Sequence, residues 1–442
     1  MKLYFLMLAG ALAGFSTYGY AAQNDVWPLS LSEAQAIARE RNHDVQLART
    51  AIASARANIE MAGAAPNPSL TLAASSINGS NGGGALWRRP IDSVVRVDQL
   101  FERGSKRELR QENAQQLAQA AESDFTDVQR QLRSLVAQAY FDLKAAQDKR
   151  AAAIDSARLL EAMLSAAQLR KSAGDIAGAD VERVKVDALR AQNDVASANG
   201  ELALAKRSLA LLLNAVERAE GLEAADDWPA MNPPQPLQGN QLDVVISRRP
   251  DVRAAASRVE AADAGSRLAQ SLRTRDVSIG MQYEHYPQSD PTNSSGNSVG
   301  FSVQVPLFTR YYYKGEILAA EAARTSAEQN VQRVRAFAES EIGSAWSSLL
   351  AATERVKRNR DQLLFAAEKA ADAAEYAYKN GAVGVMDVLD ARRTLRATRL
   401  DALAAQAEFS KALSVWQAAT EINDTQNTTE AQRAIGTPQD SR

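Results

Sequence analysis

The chain has 442 residues, with Lys+Arg 51 against Asp+Glu 53, a formal net charge of -2 and no cysteine. Apolar residues at 45% allow a packed core, while the lack of thiols excludes disulfides, thiolate nucleophiles, zinc ribbons and iron–sulfur clusters together. Two histidines, His43 and His285, and no basic excess argue against histidine metal cages and nucleic-acid binding, and a conventional enzyme is disfavoured.

Lys2 precedes an apolar run at residues 3–15, and small residues then lead to Gly19-Tyr20-Ala21. That order predicts a secretory signal peptide over residues 1–22. No cysteine follows it, so the mature chain is expected to carry no lipid anchor. No later run of about 18 apolar residues predicts a spanning helix, so a membrane crossing would require a closed β-barrel.

The rest reads as one unit written twice at an offset of about 207 residues. Asn42-His43-Asp44-Val45 aligns with Arg249-Pro250-Asp251-Val252, Leu100-Phe101 with Leu307-Phe308, and Gly174 and Asp180-Val181 with Gly381 and Asp387-Val388. The first copy covers residues 23–223: a helix, strands over about 68–77 and 93–101, and a long helical hairpin over about 105–218. Residues 224–240, with Pro229, Pro233, Pro234 and Pro236, form an extended linker. The second copy covers residues 241–422, with strands over about 276–285 and 297–308 and a hairpin over about 313–420. Residues 423–442 are polar and expected to be disordered.

The second copy's strands are the clearer ones. Val277, Ile279, Met281, Tyr283 and His285 alternate with small and polar residues, as do Val299, Phe301, Val303 and Val305. Each is the length of a tilted membrane strand, although a soluble hairpin with one face on a core reads the same way. Polar loops join the strand pairs, at residues 78–84 and 287–296. The helices show sustained seven-residue series: Leu132, Ala139, Ala146, Ala153, Leu160, Ala167; Val181 to Val216; Ile342 to Ala377; and Val388, Leu395, Ala402, Phe409, Trp416. Such series imply coiled-coil-like packing, and glycines near 174–178 and 381–384 turn each pair into an αα-hairpin.

Four membrane-length strands per chain leave two bare edges, which hydrocarbon does not tolerate, so several chains must pool their strands. Physics permits eight, twelve or sixteen strands, and a conduit favours three or more chains.

At this point the chain resembles the TolC-like outer-membrane factor family. The matching residues are Leu29-Ser30-Leu31-Ser32-Glu33-Ala34, Arg249-Pro250-Asp251, Val305-Pro306-Leu307-Phe308, Tyr378-Lys379-Asn380-Gly381 and Asp387-Val388-Leu389-Asp390-Ala391. The resemblance implies an α+β membrane protein: a homotrimer with a 12-stranded β-barrel, four strands per chain, continuous with a long periplasmic α-helical barrel. It further implies an exit duct of a tripartite efflux system, placed in the outer membrane with a periplasmic extension. Its partners would be a periplasmic adaptor and an inner-membrane pump of the RND type. No cofactor and no resident metal are expected. A finer resemblance is to the CzcC-like heavy-metal branch, carried by residues 99–107 and by Pro306-Leu307-Phe308-Thr309-Arg310 with Gly315, although Tyr311-Tyr312-Tyr313 departs from its polar stretch. The cargo would then be divalent heavy-metal cations, otherwise drugs.

Asp387 and Asp390 share one helical face by their spacing of three. Threefold repetition would gather about six carboxylates around a narrow axis, where they repel one another and attract cations. With Met386 as an apolar neighbour they form a candidate gate, and a solvated helix face is the plainer reading. The resemblance implies that Tyr378 hydrogen-bonds Asp180 as a latch between hairpins, with Val383 where some relatives carry an arginine. Gly174, Ile176, Gly381, Val383 and Val385 mark the hairpin tips as adaptor docking sites, or else as turn residues packed on each other. A pore-less periplasmic coiled-coil scaffold is the alternative from another class.

Overall fold

The computed structural model of the chain describes residues 26–75, 77, 91–237, 239–286 and 296–420. The expected leader, the loop at 78–84, nearly all of the loop at 287–296 and the polar tail lie outside the described residues.

A short strand β1 (Trp27–Leu29) leads into α1 (Leu31–Arg41) and α2 (His43–Gly63). Ser30 caps α1 through a capping box, its hydroxyl accepting from Glu33 N and Glu33 reaching back to Ser30 N at 2.8 Å. The single helix expected at the start of each copy is instead a pair. Asn42 is extended and caps α2, and in the second copy Pro250 forces Arg249 out of helical geometry between α5 (Asn240–Arg248) and α6 (Pro250–Ser271).

Strands β2 (Ser69–Ser75), β3 (Asp92–Phe101), β5 (Val277–Tyr286) and β6 (Gly296–Gln304) form one antiparallel sheet in the order β2-β3-β5-β6. The remaining strand, β4 (Leu222–Ala224), pairs in parallel with β1. Ladder pairing of β6 stops at Gln304, short of residue 308, where Pro306 has no N–H to offer. The alternation is consistent with one face for each environment. Val95, Val97, Ile279, Met281, Val299, Phe301 and Val303 are exposed on one side, while Arg96, Asp98, Gln282 and Ser302 are half-buried on the other.

Two long hairpins leave the same end of the sheet. The first is α3 (Lys106–Ser172, 67 residues, roughly 100 Å at 1.5 Å per residue) with α4 (Gly178–Leu212). It ends at Leu212 rather than near residue 218, because Asn214 is left-handed (φ 50°) and a short 3-10 turn, Val216–Gly221, follows. The second is α7 (Lys314–Arg358), a π-helical turn at Asn359–Leu364, α8 (Phe365–Lys379) and α9 (Val385–Thr420).

One core lies under α1, α3 and α4, with Tyr140, Leu143, Leu209 and Leu213 wholly buried; a second lies under α5, α6, α7 and α9, around Leu349, Phe409 and Trp416. The proline-bearing linker is docked rather than free. Trp228 stacks on Phe141 at 6.1 Å and donates to Asp148, while Asp226 Oδ2 accepts from Leu31 N at 2.6 Å.

Candidate functional site

The far end of the molecule is built from two turns of the same design. At the first, Gly174 is left-handed (φ 84°), and Gly174 N and Asp175 N donate to Lys171 O and Arg170 O. At the second, Gly381 is left-handed (φ 74°), and its N–H and that of Ala382 donate to Tyr378 O and Ala377 O. Each is a Schellman closure, which needs glycine because a Cβ strains this backbone. Both glycines are exposed, with nothing within 4 Å of a Cβ position.

Tip residues divide by burial. Val385, named as a docking residue or else a packed turn residue, is buried, at 8%; standing at the first position of α9, it turns inward with Leu389 against Val181 and Val184 of α4. Ile176 and Met386 are half-buried against that same apolar cluster, and Val383 is half-buried. The outward surface of the tips is therefore mainly backbone and glycine, with polar side chains around it.

Asp387 and Asp390 are both exposed. Asp387 Oδ2 accepts from Gly384 N at 3.0 Å, so it helps to start α9 as well as presenting charge. Asp390 has no hydrogen-bond or ion-pair partner among the described residues. Neighbouring Val388 and Leu389 are buried, which fixes the rotation of α9 and turns the carboxylates away from its own hairpin core.

The expected latch is not made in this structure. The Tyr378 ring lies under the Arg170 guanidinium, 5.1 Å from its centroid, and the Asp180 carboxylate pairs with Arg183 at 3.4 Å one turn along its own helix. Other residues join the hairpins. Asp187, its side chain 6% exposed, accepts from Arg393 of α9 at 2.6 Å, and Asp194 pairs with Arg396. Higher up, Lys411 reaches Asp142 at 2.7 Å. Asp180, Asp187 and Asp194 recur at a spacing of seven beside the Val181 seam, and that stripe was the available signal.

Within the second hairpin, Glu375 of α8 receives Lys379 at 2.9 Å and pairs with Arg392 of α9. The Lys379 hydrogen bond first, then that of Arg392, holds the Glu375 carboxyl below its ordinary range against a smaller opposing effect of burial. Among the described residues no group of three or more His, Cys, Asp or Glu side chains could hold a metal ion, and no helix is long and apolar enough to cross a membrane.

Comparison with known proteins matches the chain to the family model described as outer membrane efflux protein, over residues 36–215 and 242–434. The cobalt-zinc-cadmium resistance protein CzcC of Cupriavidus metallidurans is 25% identical over 416 residues, which are 90% of this chain and 95% of that protein. The cation efflux system protein CusC of Escherichia coli O157:H7 is 23% identical, covering 82% of this chain and 79% of that protein. Among solved structures, the outer membrane protein VceC of Vibrio cholerae superposes with a TM-score of 0.70 at 20% identity, covering 88% of this chain and 96% of that one.

Proposed function

This chain belongs to the outer membrane efflux protein family, and we propose that three copies of it form the outer-membrane exit duct of a tripartite efflux system. The observation that carries this reading is the sheet. Among the described residues it has four strands, an exposed apolar face, an opposite polar face and two unpaired edges at β2 and β6. Edges of that kind cannot stand in hydrocarbon, and three copies edge to edge would close twelve strands into a barrel wide enough to conduct. Aromatic side chains support the placement. Tyr283 is exposed near one end of the sheet, and Tyr311 and Tyr312 are exposed just beyond the other, where membrane-interface girdles sit.

The two hairpins would continue this barrel as a helical tunnel into the periplasm. Asp387 and Asp390, exposed on one face near the tips, would converge around the axis as a cation-attracting constriction, with Met386 beside them. The glycine turns at Gly174 and Gly381, with Ile176 and Val383 half-exposed, would meet the helical hairpin of a periplasmic adaptor, behind which an inner-membrane pump of the RND class supplies the energy. Divalent heavy-metal cations are the cargo we assign, on the carboxylate ring and on the similarity to the cobalt-zinc-cadmium resistance protein. The duct does no chemistry of its own.

Extraction and electrophysiology test this. The mature protein should need detergent, run as a heat-sensitive trimer and conduct in planar bilayers, and Asp387→Ala with Asp390→Ala should raise its conductance. A freely soluble, non-conducting chain would instead be a periplasmic coiled-coil scaffold.

A further inference from the structure

On the polar face of the sheet, side chains lie along the wall rather than standing out from it. Asp98 of β3, Gly280 of β5 and Ser302 of β6 form one cross-strand row. Arg96 Nη2 donates to Asp98 Oδ1 at 2.7 Å and its Nε to Oδ2 at 2.8 Å. The same Nη2 also reaches Ser302 Oγ at 3.1 Å, two strands away. Neighbouring strands are about 4.8 Å apart, so this reach passes directly over β5. It is possible because residue 280 is glycine. A Cβ built there would lie 2.5 Å from Ser302 Oγ, 3.1 Å from Arg96 Nη2 and closer still to Asp98 Oδ1.

The next row repeats the device one strand along. Gln282 of β5 lies over Gly300 of β6, where a Cβ would stand 3.0 Å from its Cγ, and Gln282 Nε2 donates to Glu284 Oε1 at 2.9 Å. Each glycine is a slot, and the slot is filled by a polar side chain from the adjoining strand. Asp98 is thereby committed to Arg96, and Arg96 to Asp98 and Ser302. A wall whose polar groups satisfy one another holds a passing ion weakly, which is what conduction needs.

We propose that Gly280 sets the bore of the duct: its missing side chain is the recess that lets the Arg96–Asp98 pair fold flat, and any side chain at 280 drives that pair into the lumen. The proposal rests on the reading of this face as the lumen of a barrel. It assigns to a glycine outside the gate a part in deciding the largest cargo that passes.

The chain has no native cysteine, so single thiols report cleanly. Ser298→Cys and Gln304→Cys place one on either side of the Gly280 row, Gln304 at the end nearer the helices. Maleimide-linked polyethylene glycols of increasing mass, applied outside intact cells, reach both positions without passing the gate. The expected result is that Gly280→Leu lowers the largest mass that labels Gln304→Cys and slows that labelling severalfold, while the limit at Ser298→Cys stays. Gly280→Ala should do the same to a smaller degree, and adding Asp98→Ala to it should restore the limit. Should Gly280→Leu fail to assemble, the Gly280→Ala and Asp98→Ala pair decides alone. An unchanged limit at position 304 in assembled Gly280 variants overturns the bore assignment. No labelling at either position in the otherwise unaltered chain overturns the duct reading, and the bore with it.

Discussion

Asn42 and Arg249, 207 residues apart, perform the same task in the two halves of the chain. Asn42 Nδ2 donates to Leu212 O at the end of α4 at 3.1 Å, and Arg249 Nη1 donates to Ala419 O at the end of α9 at 3.2 Å. Each stands at the break between two short helices and ties down the last turn of its own long hairpin, where carbonyls otherwise lack partners. The second tie is the stronger. Arg249 also holds Asp251 at 2.7 Å and Glu341 at 2.6 Å, and Arg130 of α3 reaches Glu341 and Ala418 O beside it. The upper ends of both hairpins are thus anchored to one buried charged hub.

Removing Arg249 should therefore loosen the upper fold more than removing Asn42. Arg249 is 1% exposed, and burial weakens its charge while the bonds to Asp251 and Glu341 more than restore it. Arg249→Ala leaves Asp251 with no cation in contact and should cost about 3 kcal/mol, near the low end for a broken buried pair because Glu341 can rehydrate. Asn42→Ala removes one cap and should cost about 1 kcal/mol. Denaturant titration followed by helical circular dichroism measures both, and equal losses would contradict the hub.

The parts of this fold that were legible before the structure are those written as local period. Leu132, Ala146, Ala153, Leu160 and Ala167 are buried along α3 as their seven-residue spacing implies. In the second hairpin the same logic runs through Ile342, Leu349 and Val356 and then fails: Leu363 is 48% exposed, while Ala367 and Ala371 are buried. The π-helical turn between them resets the helix face, and no proline or glycine at residues 359–364 announces it. The candidate gate was legible as a pair of carboxylates on one helix. The hairpin contact was not, because the choice among Asp180, Asp187 and Asp194 depends on where α9 lies, and only the two farther from the tip, Asp187 and Asp194, meet arginines across the gap.

Acid should loosen the lower second hairpin. Glu375 has its carboxyl held below the ordinary 4.5 by Lys379 and Arg392. A lowered folded value means that its contribution is complete above the unfolded value and is lost as pH falls through the lowered one. Protection factors of the α8 amides, corrected for the intrinsic pH dependence of exchange, should be unchanged from neutral pH down to about 4.5 and fall below it. Glu375→Gln should remove this step while leaving protection low throughout. A wild-type profile without the acid step would sink the assignment.

Alkali should act at the opposite end. Tyr140 is wholly buried, donates to Leu29 O at 3.0 Å and accepts from Asp226 N at 2.9 Å, and burial pushes its hydroxyl up to about 12. A raised value means stabilisation that is complete below the ordinary 10.0 and lost as pH rises through about 12. Tyr140→Phe leaves Asp226 N unpaired, while Leu29 O keeps the Ala225 N–H, and should cost about 1–3 kcal/mol at neutral pH. It should also flatten the stability profile above pH 10, read by denaturant midpoints across that range.

The ion pair between Asp187 and Arg393 should govern how readily the second hairpin leaves the first. Asp187 is nearly buried, while Arg393 is 48% exposed, so the acid depends on its partner more than the base does. The apolar cluster of Val181, Val184, Val385 and Leu389 binds the same two helices and sets which face of α9 turns inward, but its contacts are non-directional. The charged pair adds a directional constraint, because a guanidinium must meet its carboxylate along a narrow set of directions. Arg393→Ala, which strands the nearly buried Asp187, should therefore weaken the closed state more than Asp187→Ala, which leaves only an exposed arginine, and each should raise bilayer conductance if separation of the hairpins opens the duct. A double-mutant cycle on the fraction open should give a coupling of about 1 kcal/mol, intermediate between exposed and buried pairs. The charge swap Asp187→Arg with Arg393→Asp should recover part of the closure, though not all, since an arginine does not fit the recess that Asp187 fills. Zero coupling in the cycle, with both single variants folded, would mean that this pair has no part in holding the hairpins together.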